Sequence, residues 1–322
     1  MIIERFSSSD TGYLGYVALK RRVWPHEQVT VASQRDADAR QDPTEFNERL
    51  IAWDGEAVVG AADVYALPFS ASDQRFGFMV IVDPSARRQG IGTALHSHIV
   101  SDLDVGPVRG WETASWEGDP SGSAWLEHLG FKLASTHQMS ELALDDVDFS
   151  GFTPLVEAVE ATGVELLSLS ELMARNPQAG QDLYDLAVEL SHDAPWYEEV
   201  SKPPFDVWRR EYIDSENILA DAFTVAIFEG LLIGQSALAR DVHDQSILRT
   251  GLTGVRREFR RRHIATAMKV RAIVQAKTLE GPGSGVKVMT GNAAENPMLD
   301  LNLKLGFAKQ PAWYVYARTM NA

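Results

Sequence analysis

One pattern occurs twice in this chain, and the duplication limits its fold more than any other feature. Residues 82–95 and 255–268 align without a gap, and each copy joins a Val-ended apolar run to an Arg-rich turn. Each copy follows a hydrophobic run that ends in Gly, and each is followed by Leu-Gly-Phe, at 129–131 and 305–307. Three landmarks in one order predict a tandem repeat of one domain.

Composition agrees with two soluble domains and excludes several kinds of chemistry. The chain has 322 residues, of which 45% are hydrophobic and 23% charged, as in ordinary globular proteins. It has no Cys, which excludes disulfides, thiolate catalysis and Cys-ligated zinc. The net charge of −15 argues against nonspecific nucleic-acid binding. Because no apolar run is long enough to cross a bilayer and no signal peptide is recognisable, we expect a cytoplasmic protein without membrane contact.

Apolar periodicity predicts the same order of elements in both halves. In the first half it predicts strands at 1–6, 57–66, 76–82, 111–115 and 137–144, and helices at 11–22, 44–49, 121–129 and from 91 onward. In the second it predicts a hairpin of 222–228 and 231–239, strands at 247–255, 286–290 and 313–318, and helices from 264 and at 205–212 and 296–305.

An acidic, turn-prone stretch at 145–151 marks the expected domain boundary. The predicted domains are residues 1–148 and 149–322, with a connecting segment at about 149–163. A connecting helix is predicted at 153–161, without a counterpart in the first half.

The turn between strand and helix has the chemistry of a phosphate-binding site. The first amides of a helix lack intrahelical partners and lie at the positive end of its dipole. Gly90 and Gly92 permit close backbone approach, and Arg87 and Arg88 supply forked donors that suit phosphate oxygens. We call residues 87–93 the first cradle and residues 260–266 the second cradle.

Two common phosphate-binding motifs do not fit. A Walker loop requires Gly-Lys-Ser/Thr, which neither cradle contains. A dinucleotide fingerprint requires a third Gly where this chain has Leu95, and it follows the first strand of a parallel sheet.

The remaining pattern resembles the GNAT superfamily of acyl-CoA-dependent N-acyltransferases, whose hallmark is Arg/Gln-x-x-Gly-x-Gly/Ala. Arg87, Gly90 and Gly92 match it in full, whereas the second cradle has His263 at the first Gly. His263 is compatible with the motif on the expectation that a residue entering a helix need not adopt positive φ. The doubled set is similar to the tandem two-domain type, with a mycothiol-synthase-like architecture. The resemblance implies two α/β (α+β) domains, each with a mostly antiparallel, splayed mixed sheet flanked by helices.

The resemblance also implies which residues hold acetyl-CoA as co-substrate, without a metal. The implied contacts in the first half are Ile81, Val82, Arg87, Arg88, Gln89, Gly90, Ile91, Gly92 and Thr93. Those in the second half are Thr253, Val255, Arg260, Arg261, Arg262, His263, Ala265, Thr266, Asn292 and Asn296. Asn296 has an alternative role, because Asn before Pro297 is also a typical helix N-cap.

The chain departs from the family at the general acid. Many members carry a Tyr four residues before the Gly of Leu-Gly-Phe, where this chain has Leu126 and Asn302. The possible proton carriers are Glu112 and Glu117 in the first half and Tyr314 and Tyr316 in the second. Because strand alternation places such residues as readily in the core, no catalytic residue is assigned.

The expected function is transfer of acetyl from acetyl-CoA to the primary amine of a small molecule by direct attack. Two alternatives stay open: an acyl-CoA sensor without turnover, and an acetyltransferase for protein N-termini or lysines. We expect a monomer, because the tandem halves would form a pseudo-dimer.

Overall fold

The protein forms two compact units. The computed structural model describes residues 1–25, 28–41, 45–67, 74–103, 107–193 and 202–320. The first unit consists of Met1–Ser135, Val242–Asp244 and Trp313–Ala322. The second consists of Thr136–Asp241 and Gln245–Ala312.

The first unit has six strands among its described residues. They are β1 (Ile2–Arg5), β2 (Asn47–Asp54), β3 (Ala57–Ala66), β4 (Arg75–Val82), β5 (Gly110–Trp116) and the last strand of the chain, β13 (Trp313–Thr319). Its helices are α1 (Asp10–Val23), α2 (Val31–Ala39), α3 (Ile91–Ser101) and α4 (Pro120–His128).

The second unit repeats this plan with added helices. Its strands are β6 (Lys132–Ala143, which begins in the first unit), β7 (Val164–Ser168), β8 (Thr224–Phe228), β9 (Leu231–Arg240), β10 (Ile247–Val255), β11 (Lys287–Ala293) and β12 (Ala308–Lys309). Its helices are α5 (Thr153–Glu160), α6 (Leu169–Arg175), α7 (Ala179–His192), α8 (Phe205–Tyr212), α9 (Ile264–Glu280) and α10 (Pro297–Lys304).

Each unit contains a mixed sheet in which one parallel pair of strands diverges. The first has the order β1-β2-β3-β4-β5-β13, and the second has β7-β8-β9-β10-β11-β6. The pair β4/β5 is bonded only over residues 75–77 and 110–112, and β10/β11 only over 247–249 and 287–289. Beyond these residues each pair diverges, while the other pairings in both orders are antiparallel. The predicted fold class is confirmed.

The two units differ from the predicted halves in their last strand. Residues 137–143 of β6 pair with β11, so this strand from the first half extends the second unit's sheet. β13 pairs along its whole length with β5 and completes the first unit. An unpaired edge of β5 or β11 is satisfied equally by either final strand, because backbone groups are the same in every residue. The boundary at 148, predicted from composition, therefore does not follow the contacts.

Residues 47–49, predicted to be helical, lie instead in β2, where Arg49 opposes Asp63 on β3. Thr44, the predicted start of that helix, lies outside the described residues. Pairing with β3 overrides the weak helix propensity of a short charged stretch. Besides β2, five of the strands and helices named above were not predicted: α2, β7, α6, α7 and β12. β7 pairs with β8 over five residues, and the second repeat's sheet therefore begins at Val164.

The helices that follow the cradles are anchored by apolar stripes. α3 buries Ile91, Leu95 and Ile99 in the core of the first unit. α9 buries Ile264, Met268, Ala272 and Ala276 in the second, as the four-residue spacing predicts. This packing fixes the amino ends of α3 and α9 beside the last residues of β4 and β10.

Candidate active sites

The gap between β4 and β5 opens a cleft in the first unit. Its volume is about 860 Å³. Its lining includes residues 79–82 of β4, residues 113–116 of β5, and most of the first cradle, together with Trp125 and Trp313. The predicted residues Ile81, Val82, Arg87, Arg88, Gly90, Ile91, Gly92 and Thr93 all line this cleft. Gln89 is exposed between two of them.

The two cradles share an unusual backbone. Arg88 and Gly90 have φ of 62° and 82°, and Arg261 and His263 both have φ of 61°. Alternating left-handed residues turn successive amides toward one side and form an anion-binding concavity. The helices that follow, α3 and α9, have no side-chain cap, whereas Ser9 caps α1 and Asn296 caps α10. Their first amides are thus not used by a capping side chain.

His263 adopts positive φ, contrary to the expectation from sequence. It is the left-handed N-cap of α9, as Gly90 is of α3. A Cβ at Gly90 would meet no atom within 4 Å, so the position has room for a side chain. Histidine is among the residues that enter this region most often, at a cost of about 1–2 kcal/mol. The second cradle therefore keeps the backbone shape of the first at the cost of local strain.

The first arginine of each motif braces its own turn. The Nε of Arg87 donates to the carbonyl of Val82 at 3.4 Å, and that of Arg260 donates to the carbonyl of Val255 at 2.9 Å. Each guanidinium also pairs with a carboxylate, Asp119 in the first unit and Asp193 in the second. These two arginines therefore hold the cradle against its strand.

Carboxylates at the end of α7 engage the arginines around the second cradle. Asp193 pairs with Arg257 as well as Arg260, and Glu189 pairs with Arg256. The hydrogen bond from Arg257, together with Arg260, holds the pKa of Asp193 below its usual value. Arg261, Arg262 and His263 are exposed, as Arg88 and Gln89 are in the first cradle. Ala265 and Thr266 are half-buried in the first turn of α9.

Only one of the two splayed strands is bulged. β4 pairs with β3 in an unbroken register, whereas β10 shifts register against β9 between Thr250 and Thr253. A bulge leaves backbone groups outside the ladder, and bulges are frequent next to active sites. Of the predicted residues, Thr253 contacts Ser236 through its hydroxyl at 3.1 Å, and Val255 is buried.

Two of the predicted second-half residues, Asn296 and Asn292, make different contacts. Asn296 is the N-cap of α10 and accepts from the amide of Met298 at 2.9 Å, which supports its alternative assignment. Asn292 lies on β11 beyond the end of its pairing with β10. Its Oδ1 accepts from the Nδ2 of Asn302 at 2.7 Å. Asn302 in turn accepts from Lys269, a residue that sequence reasoning missed.

The two positions where the family often has Tyr are both closed. Leu126 is 2% exposed and Asn302 is 0% exposed. Tyr314 and Tyr316, expected in the second half, lie on β13 and so belong to the first unit. Tyr314 donates to Glu117 at 3.0 Å, and Tyr316 donates to Glu127 at 3.2 Å. The hydrogen bond to Glu117 raises the pKa of Tyr314.

Only a weak sequence pattern indicates that Lys269 has a special role. It follows Met268 within the buried stripe of α9, and His96 holds the matching place on α3. Both are buried, and burial lowers the pKa of His96 and lowers that of Lys269 to about 7. A polar residue at the same buried place in both repeats is the pattern that marks this position.

No group of three or more His, Asp or Glu side chains that could hold a metal occurs among the described residues. In the same part of the chain, no helix is long and apolar enough to cross a membrane.

Comparison with known proteins agrees with this geometry. Residues 13–106 match the family model described as "Acetyltransferase (GNAT) family". A search of curated protein sequences finds no match. The fold of the whole chain is similar to a GCN5-related N-acetyltransferase from Sphaerobacter thermophilus (TM-score 0.74, 15% identity, covering 100% of this chain and 96% of that one).

A second solved structure matches this chain over its whole length. It is a tandem GNAT protein from the clavulanic acid biosynthesis pathway (TM-score 0.74, 18% identity, covering 100% of this chain and 99% of that one). A glucosamine N-acetyltransferase region of a fungal β-N-acetylglucosaminidase also matches (TM-score 0.72, 13% identity, covering 98% of this chain and 38% of that one). Residues 13–106 thus match the GNAT family, and the fold of the whole chain is similar to that of tandem GNAT proteins.

Proposed function

We propose that the protein is an N-acetyltransferase that moves acetyl from acetyl-CoA to the primary amine of a small molecule. The observation that carries the proposal is the doubled combination of a splayed parallel pair and an uncapped, left-handed turn at a helix start. The turn offers amides to a pyrophosphate, and the gap offers strand edges to an extended pantetheine arm.

The reaction needs little from the protein beyond positioning and one base. The neutral amine attacks the thioester carbonyl carbon, the C–S bond breaks, and an amide and the thiolate of CoA result. The proton lost by nitrogen passes to a base. A thiol has a pKa of about 8.5, so a thiolate leaves without an obligatory acid. The burial of Leu126 and Asn302 is therefore compatible with transfer.

We place the transfer step in the second repeat and acetyl-CoA binding in both. The bulge of β10 and the amide of Asn292 support this assignment, because both lie beyond the point where the pairing of β10 with β11 ends. The first repeat offers an intact glycine cradle and an 860 Å³ cleft, but its β4 has no bulge.

A specific observation favours a second candidate, an acyl-CoA sensor without turnover. Neither Leu126 nor Asn302 presents an acidic proton at the place where many GNAT enzymes carry Tyr. Release of thiol from acetyl-CoA with a panel of small amines, peptides and lysine-containing proteins separates the candidates. Binding without thiol release across that panel would support the sensor.

Matched substitutions test the two cradles. Gly92 and Ala265 occupy the same place in the first turn of α3 and α9. Gly92→Glu and Ala265→Glu add a negative charge that suits a helix start but repels pyrophosphate. We expect each variant to lose one of two acetyl-CoA sites by calorimetry, and only Ala265→Glu to lose turnover.

Gly92→Gln and Ala265→Gln are the controls for size, since they add similar bulk without the charge. A stoichiometry that stays at two in both Glu variants would contradict the cradle assignment. Loss of turnover in Gly92→Glu alone would instead place the chemistry in the first repeat.

A further inference from the structure

A buried polar chain runs through the second unit. Lys269 is 2% exposed, and its Nζ donates to the Oδ1 of Asn302 at 2.5 Å. The Nδ2 of Asn302 donates to the Oδ1 of Asn292 at 2.7 Å. The Lys269 Nζ also lies 5.4 Å from the centroid of the Phe307 ring. The chain thus connects the core of α9 with the half-buried side chain of Asn292 on β11.

The hydrogen bond that Lys269 donates determines the direction of the next bond. Its Nζ donates to the Oδ1 of Asn302, and an amide has one donor side and one acceptor side. Lys269 therefore holds the Oδ1 of Asn302 toward itself, which turns the Nδ2 of Asn302 toward Asn292. Asn292 then accepts this hydrogen bond with its Oδ1, and its Nδ2 donor group takes no part in the series of bonds from Lys269.

Asn292 stands at the height of the bulge. The last parallel pair is Arg249 and Met289, and Asn292 lies three residues beyond Met289. Three residues beyond Arg249 on β10 is Leu252, which lies inside the bulged segment between Thr250 and Thr253. The backbone of Asn292 pairs with Gln138 on the other side of β11, so its strand is unpaired toward β10.

We propose that Lys269 is a positioning residue that orients Asn292 to donate a hydrogen bond to a carbonyl oxygen of the acyl-pantetheine arm. The proposal rests on the proposed function, because it needs acyl-CoA in this gap. Two carbonyls share this chemistry, the thioester carbonyl and an amide carbonyl of pantetheine. Hydrogen bonds along such a chain strengthen one another, so the bond that Asn302 accepts from Lys269 makes Asn302 a better donor to Asn292.

The first repeat lacks this chain. Leu126 stands at the place of Asn302, and His96 stands at that of Lys269. His96 packs among the rings of Phe78, Trp125 and Phe131. The first repeat thus provides a precedent for Leu at the place of Asn302.

The test uses the full chain with Gly92→Glu, so that acetyl-CoA binds in the second repeat. Into this parent we introduce Lys269→Met with Asn302→Leu, or Asn292→Asp alone. The double variant replaces both buried partners by apolar groups, which is nearly neutral for folding. Asn292→Asp still accepts from Asn302 but presents no donor to a ligand. We expect kcat/KM for acetyl-CoA to fall roughly tenfold in each, the effect of one hydrogen bond.

Dissociation constants for CoA and acetyl-CoA distinguish the two carbonyls. A parallel rise in both constants assigns the bond to a pantetheine amide, and a fall in kcat with both constants unchanged assigns it to the thioester. The proposal is overturned if kcat, KM and both dissociation constants stay within about twofold of the parent in a double variant whose unfolding midpoint is unchanged.

The same measurements separate this proposal from the proposed function. A parent that binds acetyl-CoA without turnover overturns the enzyme, while the dissociation constants still decide the orientation of Asn292. A parent whose second repeat binds neither CoA nor acetyl-CoA overturns both.

Discussion

At the scale of single residues, burial gives Lys269 a chemistry that its type does not have in water. An ammonium loses its hydration when it is enclosed by α9 and its neighbours, and this lowers the pKa of Lys269 to about 7. One hydrogen bond to Asn302 and a ring contact with Phe307 offset only part of that loss. Burying Lys269 therefore costs folding stability, and in the proposed role it orients the amide of Asn302.

The depressed pKa of Lys269 predicts stability that rises with pH. Between about pH 7 and 10.4 the unfolded chain binds a proton at this residue that the folded chain does not bind, so raising the pH favours folding. This residue should add up to about 1 kcal/mol to the free energy of unfolding per pH unit above 7.

Urea unfolding at pH 7, 8 and 9 measures this effect as the difference between the wild type and Lys269→Met with Asn302→Leu. The difference should shift steadily in favour of the wild type as the pH rises. A difference that is independent of pH would contradict the lowered pKa.

At the scale of elements, the same turn is made from different residues in the two repeats. The backbone before α3 and the backbone before α9 pass through the left-handed region at matching places, once with Gly90 and once with His263. The core stripes of α3 and α9 and the brace from Arg87 or Arg260 hold the turn in place. Packing around a helix start thus maintains a conformation that the local sequence disfavours.

Exchanging the two N-cap residues tests this strain. His263→Gly should raise the free energy of unfolding by about 1 kcal/mol, because glycine adopts positive φ without the steric cost. Gly90→His should lower it by a similar amount, since its Cβ meets no neighbour and only the backbone term remains. Denaturant unfolding of both variants gives the two values, and a destabilised His263→Gly would show that the imidazole makes a stabilising contact that outweighs the strain.

At the scale of the whole molecule, each unit is completed by a strand from the other half of the sequence. β13 pairs with all seven residues of β5, and β6 pairs with all seven residues of β11. Trp313, at the start of β13, lines the cleft of the first unit. A site that the motifs place wholly in the first half thus includes a residue from the end of the chain.

This arrangement predicts how fragments behave. Residues 1–148 include β6 but lack β13, so they should expose the edge of β5 and associate or unfold at low temperature. Residues 1–135 joined to 311–322 through a flexible Gly/Ser linker restore that pairing and should unfold cooperatively at a higher temperature. Circular dichroism and size-exclusion chromatography compare the two constructions. Equal stability of both fragments would show that β13 is not needed to close the first sheet.

The sequence alone determined the repeat and the strand-turn-helix cradles, and its resemblance to the GNAT superfamily implied the splayed sheet. These features depend on residues that are near one another along the chain, such as the apolar residues spaced by four on α9 and the glycines at the start of α3. The GNAT resemblance came from the same local patterns, and residues 13–106 match that family. Asn296 as an N-cap before Pro297 is likewise a local signal.

The tertiary structure alone decided which half supplies each final strand, that His263 is left-handed, that β10 is bulged and that Lys269 donates to Asn302. Each depends on tertiary contacts: β11 for β6, the packing of α9 and the brace from Arg260 for His263, β9 for the bulge, and Asn302 for Lys269. Backbone pairing is the same for every residue type, and the cost of a buried charge depends on what surrounds it. No local pattern can therefore encode these choices.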